Sequence, residues 1–318
     1  MSSKKIIVVV GATGNQGSSV AHTFLKLPNW HVCCLTRNSS SLASQALATL
    51  GAEVVQADLS IASSLTRAFS NANAIFLNTD FWGTFRSPEL QDKPEAERGL
   101  IAFENEVLHG KNVAQAAAAV PSLERLVYST LPAMKKTSNG KYGSSFHWEA
   151  KATVVDYILE EEPELAKKAS LIYLGGYTTN AMLTPRLDPA NGKYNFVLPL
   201  RKNAKMPIID PKESTGPFVR ALIEDEDAGT KLLAYDSHLT MEEVPVVWSR
   251  ATGKEAAYVE VSADIMHQKF GISKEILEAP GFINEYGYMG GVDGFIEPFQ
   301  LKKHVPTKSY EDWLKEQD

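Results

Sequence analysis

Short apolar runs alternate with longer amphipathic segments over the first half of the chain. The first run, residues 6–10, is unbroken, contains three consecutive valines and stops at Gly11. A β-branched run of this kind predicts a strand that is buried on both faces, as at the centre of a parallel sheet. Residues 18–27 then place Val20 and Phe24 on one helical face, which predicts an amphipathic helix directly after a glycine-rich turn.

The same alternation continues to about residue 177 and predicts five more strands. They lie at residues 31–37, 53–59, 73–79, 123–130 and 169–175, with helices at 41–52, 60–69, 94–120 and 146–162 between them and loops at 79–85 and 131–145. Strands that alternate with helices form parallel sheets through right-handed crossovers. The predicted fold class is therefore α/β, a Rossmann doubly wound parallel sheet with strand order 3-2-1-4-5-6.

Beyond residue 177 the apolar segments are shorter and are broken by prolines. They predict helices at 214–225, 240–251, 262–269 and 309–316, and short strands near 194–198, 206–209 and 230–235. We therefore predict an NAD(P)-binding Rossmann domain over residues 1–177. A smaller α+β domain over residues 178–318, partly interleaved with the first, is predicted to bind a substrate or a partner.

Composition narrows the class of protein. The 318 residues are 44% hydrophobic and 22% charged, which is typical of a globular protein, and the formal net charge is -6. This charge argues against a surface that binds nucleic acid directly. The two cysteines, Cys33 and Cys34, are adjacent, so on a strand they point to opposite faces and no disulfide is expected. Together with the lack of a signal-peptide pattern, a membrane-spanning stretch or a Cys/His metal cluster, they predict a cytoplasmic protein without a metal.

Glycines recur at every third position in the turn after the first strand. Gly11, Gly14 and Gly17 follow the strand and precede the helix, an arrangement that points free backbone N–H groups at a pyrophosphate. Gly11 permits the tight turn, Gly14 lets the backbone approach the phosphates, and Gly17 lets the helix and strand pack closely. The turn therefore predicts a dinucleotide site. Its other residues are Thr13, Asn15 and Gln16.

The ends of the second and third strands bear on the choice of cofactor. Arg37 lies about 20 residues after Gly17, where NAD-specific folds usually place an acid that binds the ribose 2′-OH. A guanidinium suits a 2′-phosphate, which favours NADP over NAD, and a solvated surface arginine is the alternative. Neighbouring Asn38 is assigned to the same site. Asp58 and Leu59 are assigned to the adenine end, and a loop or cap role is the alternative for the carboxylate.

Six short segments carry a family resemblance. They are GATGNQG in the glycine turn, LTRN at the end of the second strand, HWEAK at 147–151, YLGGYTTN after the sixth strand, MPIIDPKESTGPFV at 206–219, and SYEDWLKE in the last predicted helix. Together they resemble the NmrA-like family, an atypical branch of the short-chain dehydrogenases/reductases, over nearly the whole chain. The resemblance implies a Rossmann domain, a small C-terminal domain and binding of NADP(H) or NAD(H). That family includes redox-sensing transcriptional co-regulators and reductases of small molecules, among them fungal secondary-metabolite enzymes and relatives of isoflavone reductase.

The catalytic motif of the short-chain dehydrogenases is altered in this chain. Their Tyr-x-x-x-Lys motif supplies a tyrosine as general acid and a lysine that lowers the pKa of the tyrosine and holds the nicotinamide ribose. No tyrosine here has a lysine four residues later. Lys151 matches the family lysine, and His147 stands one helical turn earlier, in the place of the tyrosine. In one interpretation Lys151 anchors the ribose and His147, Lys151 or Tyr142 supplies a proton. In the other, Lys151 anchors the ribose, His147 only packs or caps, and no turnover occurs.

Residues at the ends of the later strands complete the predicted site. Ser129 and Thr130 end the fifth strand, where a hydroxyl either polarises a substrate or caps the strand. The cofactor site also takes residues that follow the fourth and sixth strands, namely Asn78, Thr79, Gly176, Tyr177 and Asn180. The predicted substrate pocket consists of Phe81, Trp82, Ser129, Tyr142, Trp148 and Tyr177. Core packing is the alternative role for its aromatic members.

Two functions are compatible with these features. The first is an NADP(H)-dependent oxidoreductase, with NAD as a possible replacement, that transfers a hydride to a small apolar or aromatic metabolite. The alternative is a non-catalytic redox-sensing regulator that binds the dinucleotide and a protein partner and that could act in the nucleus. The missing tyrosine favours the regulator, and the aromatic cluster favours the enzyme. An open apolar pocket at the nicotinamide end would support the enzyme and a filled one the sensor. The oligomeric state is left open.

Overall fold

Strands and helices alternate along residues 4–317, the part of the chain that the computed structural model describes. The strands are β1 (Lys5–Val9), β2 (Trp30–Thr36), β3 (Glu53–Gln56), β4 (Ala74–Leu77), β5 (Arg125–Thr130), β6 (Ala169–Leu174), β7 (Gly176–Tyr177), β8 (Arg186–Leu187), β9 (Tyr194–Leu198), β10 (Lys205–Ile209), β11 (Lys231–Ala234), β12 (Ser237–Thr240) and β13 (Ala256–Glu260). The α-helices are α1 (Asn15–Leu25), α2 (Leu42–Thr49), α3 (Ala62–Ala68), α4 (Phe81–Phe85), α5 (Glu95–Ala118), α6 (Met134–Thr137), α7 (Phe146–Glu161), α8 (Pro163–Ala166), α9 (Thr215–Glu224), α10 (Glu243–Thr252), α11 (Ala263–Phe270), α12 (Lys274–Tyr286) and α13 (Tyr310–Lys315).

The largest sheet is parallel throughout and has the strand order β11-β6-β5-β4-β1-β2-β3. The predicted Rossmann order 3-2-1-4-5-6 is therefore confirmed, and β11 adds a seventh strand beside β6. Central strand β1 shows why the apolar run was informative. Ile7 and Val9 pack into one hydrophobic cluster and Val8 packs into another on the opposite face, because successive side chains of a strand point to opposite faces.

Helices cover both faces of this sheet, and one of them comes from the C-terminal half of the chain. Helices α5 and α7 pack against each other on one face, and α1 and α9 do so on the other. The backbone N–H of Gly216 in α9 donates to the hydroxyl oxygen of Ser19 in α1 at 2.9 Å. Segments beyond residue 177 thus contribute both a strand, β11, and a covering helix, α9, to the Rossmann layers.

The remaining strands form two three-stranded sheets, β12-β10-β7 and β13-β9-β8. Four helices lie where the sequence predicted loops or no element at all, and one of them is the short helix α8, which begins at Pro163. The predicted loop at 79–85 contains α4, because the Asp80 carboxylate accepts a hydrogen bond from the N–H of Gly83 at 3.0 Å and caps the helix. The predicted loop at 131–145 contains the short helix α6. Helix α12 was not predicted, since Pro280 and Gly281 interrupt its apolar pattern.

The described residues contain neither a membrane-spanning helix nor a group of metal ligands. No helix within residues 4–317 is long and apolar enough to cross a membrane. No group of three or more His, Cys, Asp or Glu side chains in the same range could hold a metal ion. Cys33 and Cys34 are free and buried. Burial raises the pKa of both thiols to about 12, so they stay protonated at neutral pH.

Candidate active site

A cleft of about 860 Å³ runs along the carboxyl edge of the large sheet. Its floor consists of the turn after β1 and the ends of β2, β4, β5 and β6, and helix α12 contributes to its wall. Most of the residues that the sequence assigned to cofactor, catalysis or substrate line this one cleft. They are Gly11, Thr13, Gly14, Gln16, Arg37, Asp58, Leu59, Asn78, Thr79, Phe81, Trp82, Ser129, Thr130, His147, Trp148, Lys151, Gly176, Tyr177 and Asn180.

The glycine turn leads directly into the amino terminus of α1. Gly11 has a φ of +76°, a conformation that favours glycine. A Cβ atom on Gly17 would lie 2.2 Å from the carbonyl oxygen of Gly11, so the turn itself excludes a side chain there. Gly14 is the N-cap of α1, and no side chain caps this helix within residues 4–317. The first N–H groups of α1 are therefore available to an anion at the cleft.

Gln16 connects this turn to the end of the sheet. Its Nε2 atom donates to the hydroxyl oxygen of Tyr177 at 2.6 Å. Its Oε1 atom is buried and has no hydrogen-bond partner among the described residues. A buried carbonyl oxygen without a donor is costly, so this atom is suited to accept a hydrogen bond from a ligand in the cleft.

Arg37 and Asp58 lie at the opposite end of the cleft, beyond β2 and β3. Arg37 is exposed and follows the last residue of β2. Asp58 Oδ1 accepts hydrogen bonds from the N–H and the hydroxyl of Ser60, and these bonds hold the pKa of Asp58 below its usual range. The carboxylate thus stabilises the turn before α3 and also lines the cleft.

Lys151 reaches from α7 into a polar cluster at the end of β4. Its Nζ atom donates to Thr79 O at 3.2 Å and to Asn78 Oδ1 at 3.3 Å. It also lies 3.2 Å from Oε1 of Glu106, whose side chain is fully buried on α5. The Thr79 hydroxyl donates to the same Glu106 oxygen at 2.6 Å. Glu106 therefore fixes both the lysine and the threonine.

His147 is held by a second buried carboxylate, Glu275 of α12. The His147 Nδ1 atom lies 2.7 Å from Glu275 Oε1, and the His147 backbone N–H donates to the same oxygen at 2.8 Å. The imidazole ring also packs against the ring of Trp82, with centroids 5.0 Å apart. His147 is therefore more than a packed side chain, because an ionisable partner orients it at the cleft.

The wall of the cleft beyond His147 and Lys151 is apolar. Helix α12 presents Ile276, Ala279, Pro280 and Ile283, and Met182, Met206 and Tyr288 come from other segments. The Tyr288 hydroxyl donates to the carbonyl oxygen of Leu174 at 2.5 Å, which fixes this ring at the end of β6. These apolar side chains therefore line the same cleft as His147 and Lys151.

Four assigned residues do not line the cleft. Tyr142 lies on the far side of α12, where its hydroxyl donates to Glu285 Oε1 at 2.7 Å and its ring contacts Phe282. Asn38 Oδ1 accepts hydrogen bonds from Ser40 within the turn after β2. The remaining two are Asn15 and Gly17 in the first turn of α1. Tyr142 is thus removed from the candidate proton donors, because its hydroxyl already serves another carboxylate outside the cleft.

The sequence analysis missed several residues that line the cleft or that hold its lining side chains from behind. Glu106 and His109 belong to α5, one helical turn apart, and Glu275 and the apolar α12 residues come from a segment with no predicted element. Burial lowers the pKa of His109, so this ring is neutral at physiological pH. The one signal in the sequence was the presence of acidic residues at positions that a helical pattern would bury.

Comparison with known proteins found both similar sequences and similar folds. A sequence model of the NmrA-like family matches residues 3–314. The NmrA-like family domain-containing oxidoreductase hkm9 of Aspergillus hancockii is 28% identical over 281 residues, which are 84% of this chain and 78% of that protein. The structure of NmrA, a negative transcriptional regulator, in complex with NADP superposes with a TM-score of 0.71 at 19% identity, covering 99% of this chain and 95% of that one. The NADPH complex of an NADPH-dependent quinone oxidoreductase from Escherichia coli superposes with a TM-score of 0.68 at 20% identity, covering 98% and 99%.

Proposed function

The chain belongs to the NmrA-like family, and we propose that it is an NADP(H)-dependent reductase of a small apolar or aromatic molecule. The single observation that carries the proposal is that apolar side chains of α12 line the same cleft as Lys151 and His147. A sensor that only binds the dinucleotide has no need of a second space beside two ionisable side chains. A reductase needs room there for its substrate.

The cofactor half of the proposal rests on the features around the glycine turn. The uncapped amino terminus of α1 offers backbone N–H groups to a pyrophosphate, and Gln16 Oε1 offers a buried acceptor. Arg37 offers a guanidinium to the 2′-phosphate of NADP at the other end of the cleft. The likeness to folds solved with NADP and NADPH supports the same assignment. NAD remains the alternative cofactor, as the NmrA fold has also been solved with NAD.

The chemical half of the proposal assigns separate roles to Lys151 and His147. A bound reduced nicotinamide supplies a hydride to the acceptor. Lys151 holds the nicotinamide ribose with an ammonium group that Glu106, Thr79 and Asn78 keep in place. His147 gives a proton to the acceptor atom that becomes negative as the hydride arrives, since imidazole exchanges protons near neutral pH.

The alternative function, a redox-sensing regulator, is favoured by two observations. The Tyr-x-x-x-Lys motif is missing, and one structural neighbour is a negative transcriptional regulator. In that function Lys151 and the glycine turn keep their cofactor roles, and His147 has no chemical task. The two functions therefore differ in turnover and not in cofactor binding.

The test is steady-state oxidation of NADPH by the purified protein with a panel of aromatic ketones, imines, enones and quinones, alongside calorimetric titration with NADPH. We expect tight NADPH binding and oxidation with at least one acceptor. His147→Ala should lower turnover by about 100-fold or more with little change in NADPH affinity. The matched control is His22→Ala, which removes an exposed histidine of α1 outside the cleft. Full NADPH binding without any oxidation would favour the regulator.

A further inference from the structure

Glu275 is a buried carboxylate at the start of α12 that meets His147 across 128 positions of sequence. The exposed fraction of its side chain is 3%, and that of His147 is 16%. One oxygen, Oε1, faces both the Nδ1 atom and the backbone N–H of His147, at 2.7 Å and 2.8 Å. The carboxylate thus fixes the start of α7 as well as the ring.

This contact decides which ring nitrogen faces the cleft. A carboxylate accepts hydrogen bonds, so the proton of the neutral imidazole belongs on Nδ1. No group of the described residues bonds Nε2, which leaves this nitrogen to the cleft that His147 lines. The ring is further held between Trp82, at a centroid distance of 5.0 Å, and Trp148, at 6.4 Å.

We propose that Glu275 is a positioning residue that holds His147 with Nδ1 protonated and Nε2 directed at the substrate. The inference deepens the reductase function proposed above and rests on it. Reduction of a C=O bond to an alcohol consumes one hydride and one proton. The protonated imidazole releases that proton from Nε2 to the substrate oxygen and takes another from water afterwards. The Glu275 carboxylate faces the charged ring at Nδ1 and stabilises it.

The same helix joins the proton donor to substrate recognition. Ile276, Ala279 and Ile283 follow Glu275 on α12 and line the cleft. The start of α12 is itself tied to α5, because Glu95 Oε1 accepts hydrogen bonds from the Ser273 hydroxyl at 2.8 Å and the Glu275 N–H at 3.1 Å. Helix α12 therefore provides the apolar lining of the cleft and also sets the tautomer of His147. An apolar carbonyl compound is the substrate class that this pairing fits.

The first test is the protonation state of the ring, read by long-range ¹H–¹⁵N NMR of histidine-labelled full-length protein at a pH where His147 is neutral. The His147 signals are assigned by their loss in His147→Ala. We expect the Nδ1–H tautomer in the wild type and a shift towards the Nε2–H tautomer in Glu275→Ala. If the alanine variant fails to fold, Glu275→Met keeps a side chain of similar length without an acceptor oxygen and should shift the ring in the same direction. The control is Glu285→Gln, an acid on the same helix that contacts Lys141 and Tyr142. A wild-type ring protonated on Nε2 would overturn the proposal.

The second test separates this inference from the proposed function. With the acceptor that the wild type reduces best, Glu275→Gln should lower kcat by about 10-fold to 100-fold and leave the KM for NADPH unchanged. The double variant that carries both Glu275→Gln and His147→Ala should lose as much kcat as His147→Ala alone, because the two residues act as one unit. Additive losses would show that Glu275 acts elsewhere and would overturn the proposal. If the wild-type protein reduces no acceptor but has the Nδ1–H tautomer, the proposed reductase function would be wrong. The positioning of His147 by Glu275 would still hold.

Discussion

The ammonium nitrogen of Lys151 lies 3.2 Å from the buried Oε1 atom of Glu106. The lysine side chain is 13% exposed and the glutamate side chain is not exposed at all. Paired charges of this kind are strongly coupled, since removal of one partner leaves the other buried without compensation. The pair therefore links the stability of α5 and α7 to the position of Lys151 in the cleft.

Glu106→Ala should lower the free energy of unfolding by about 3 kcal/mol, because it leaves the Lys151 ammonium without its counter-charge. Urea denaturation measures this loss. Glu104→Ala, which removes an exposed acid from the same helix, should change stability by less than about 0.5 kcal/mol. Glu106→Ala combined with Lys151→Met should recover part of the loss, since no unpaired charge remains. Equal effects of the two alanine variants would contradict the coupling.

Gly14→Val should abolish NADPH binding without unfolding the protein. A Cβ atom at Gly14 would meet only the Gly11 carbonyl oxygen at 3.4 Å, an ordinary contact, and the residue is extended with a φ of −86°. Blocking two phosphate hydrogen bonds of about 1.5 kcal/mol each would weaken binding by more than about 100-fold in calorimetry. Gly17→Ala is the contrasting variant and should destabilise the fold, given the 2.2 Å approach to Gly11 O. Wild-type affinity in Gly14→Val would remove the glycine turn from the cofactor site.

Arg37→Asp should change the cofactor preference from NADPH to NADH. The loss of a charge-assisted contact to the 2′-phosphate costs about 1.5–3 kcal/mol, so NADPH affinity should fall by about 10-fold to 100-fold. NADH affinity should stay the same or rise, because an acid at this position can bind the ribose 2′-OH. Arg67→Asp makes the same change on an exposed arginine of α3 outside the cleft and should alter neither affinity. If Arg37→Asp weakened both cofactors equally, the preference for NADP would not come from Arg37.

Asp236→Asn should stabilise the protein at neutral pH and not at low pH. Burial, helped by the charge of Asp210, raises the pKa of Asp236 from its ordinary value of 3.8 to about 6. The folded state therefore binds more protons than the unfolded state between these values, and the wild type loses stability as pH rises through 6. The variant lacks this loss, so its advantage should be absent near pH 4 and reach about 2 kcal/mol at pH 7. Urea denaturation at both pH values measures it, and a pH-independent difference would contradict the assignment.

The central sheet could be predicted from the sequence because its strands are buried on both faces. Ile7 and Val8 supply two different clusters from adjacent positions, so the run has no polar residue to obscure it. Strand β11 was predicted as a strand near 230–235 but not as part of this sheet. Its four residues, KLLA, have no feature that distinguishes an edge strand of the large sheet from one of a small sheet.

The glycine turn of the cleft could also be predicted, and the contacts around His147 and Lys151 could not. The glycine turn is local, so its spacing in the sequence reports its geometry directly. The contacts of His147 and Lys151 with Glu275 and Glu106 join distant segments, and nothing in the spacing of an acid reports its partner. Tyr142 illustrates the opposite error. It is near Lys151 in sequence, but the chain between them turns it towards Glu285 and away from the cleft.

The measurement that tests the central claim most directly is the transfer of deuterium from NADPH labelled at C4 into the product of an apolar carbonyl acceptor. Mass spectrometry of the product measures it for the wild type, His147→Ala and the control His22→Ala at saturating cofactor. We predict one deuterium per reduced molecule with the wild type and the control. With His147→Ala we predict that the rate of transfer falls by about 100-fold or more. A wild type that binds NADPH tightly but transfers no deuterium to any acceptor of the panel, or transfers it as fast without His147, would contradict the account.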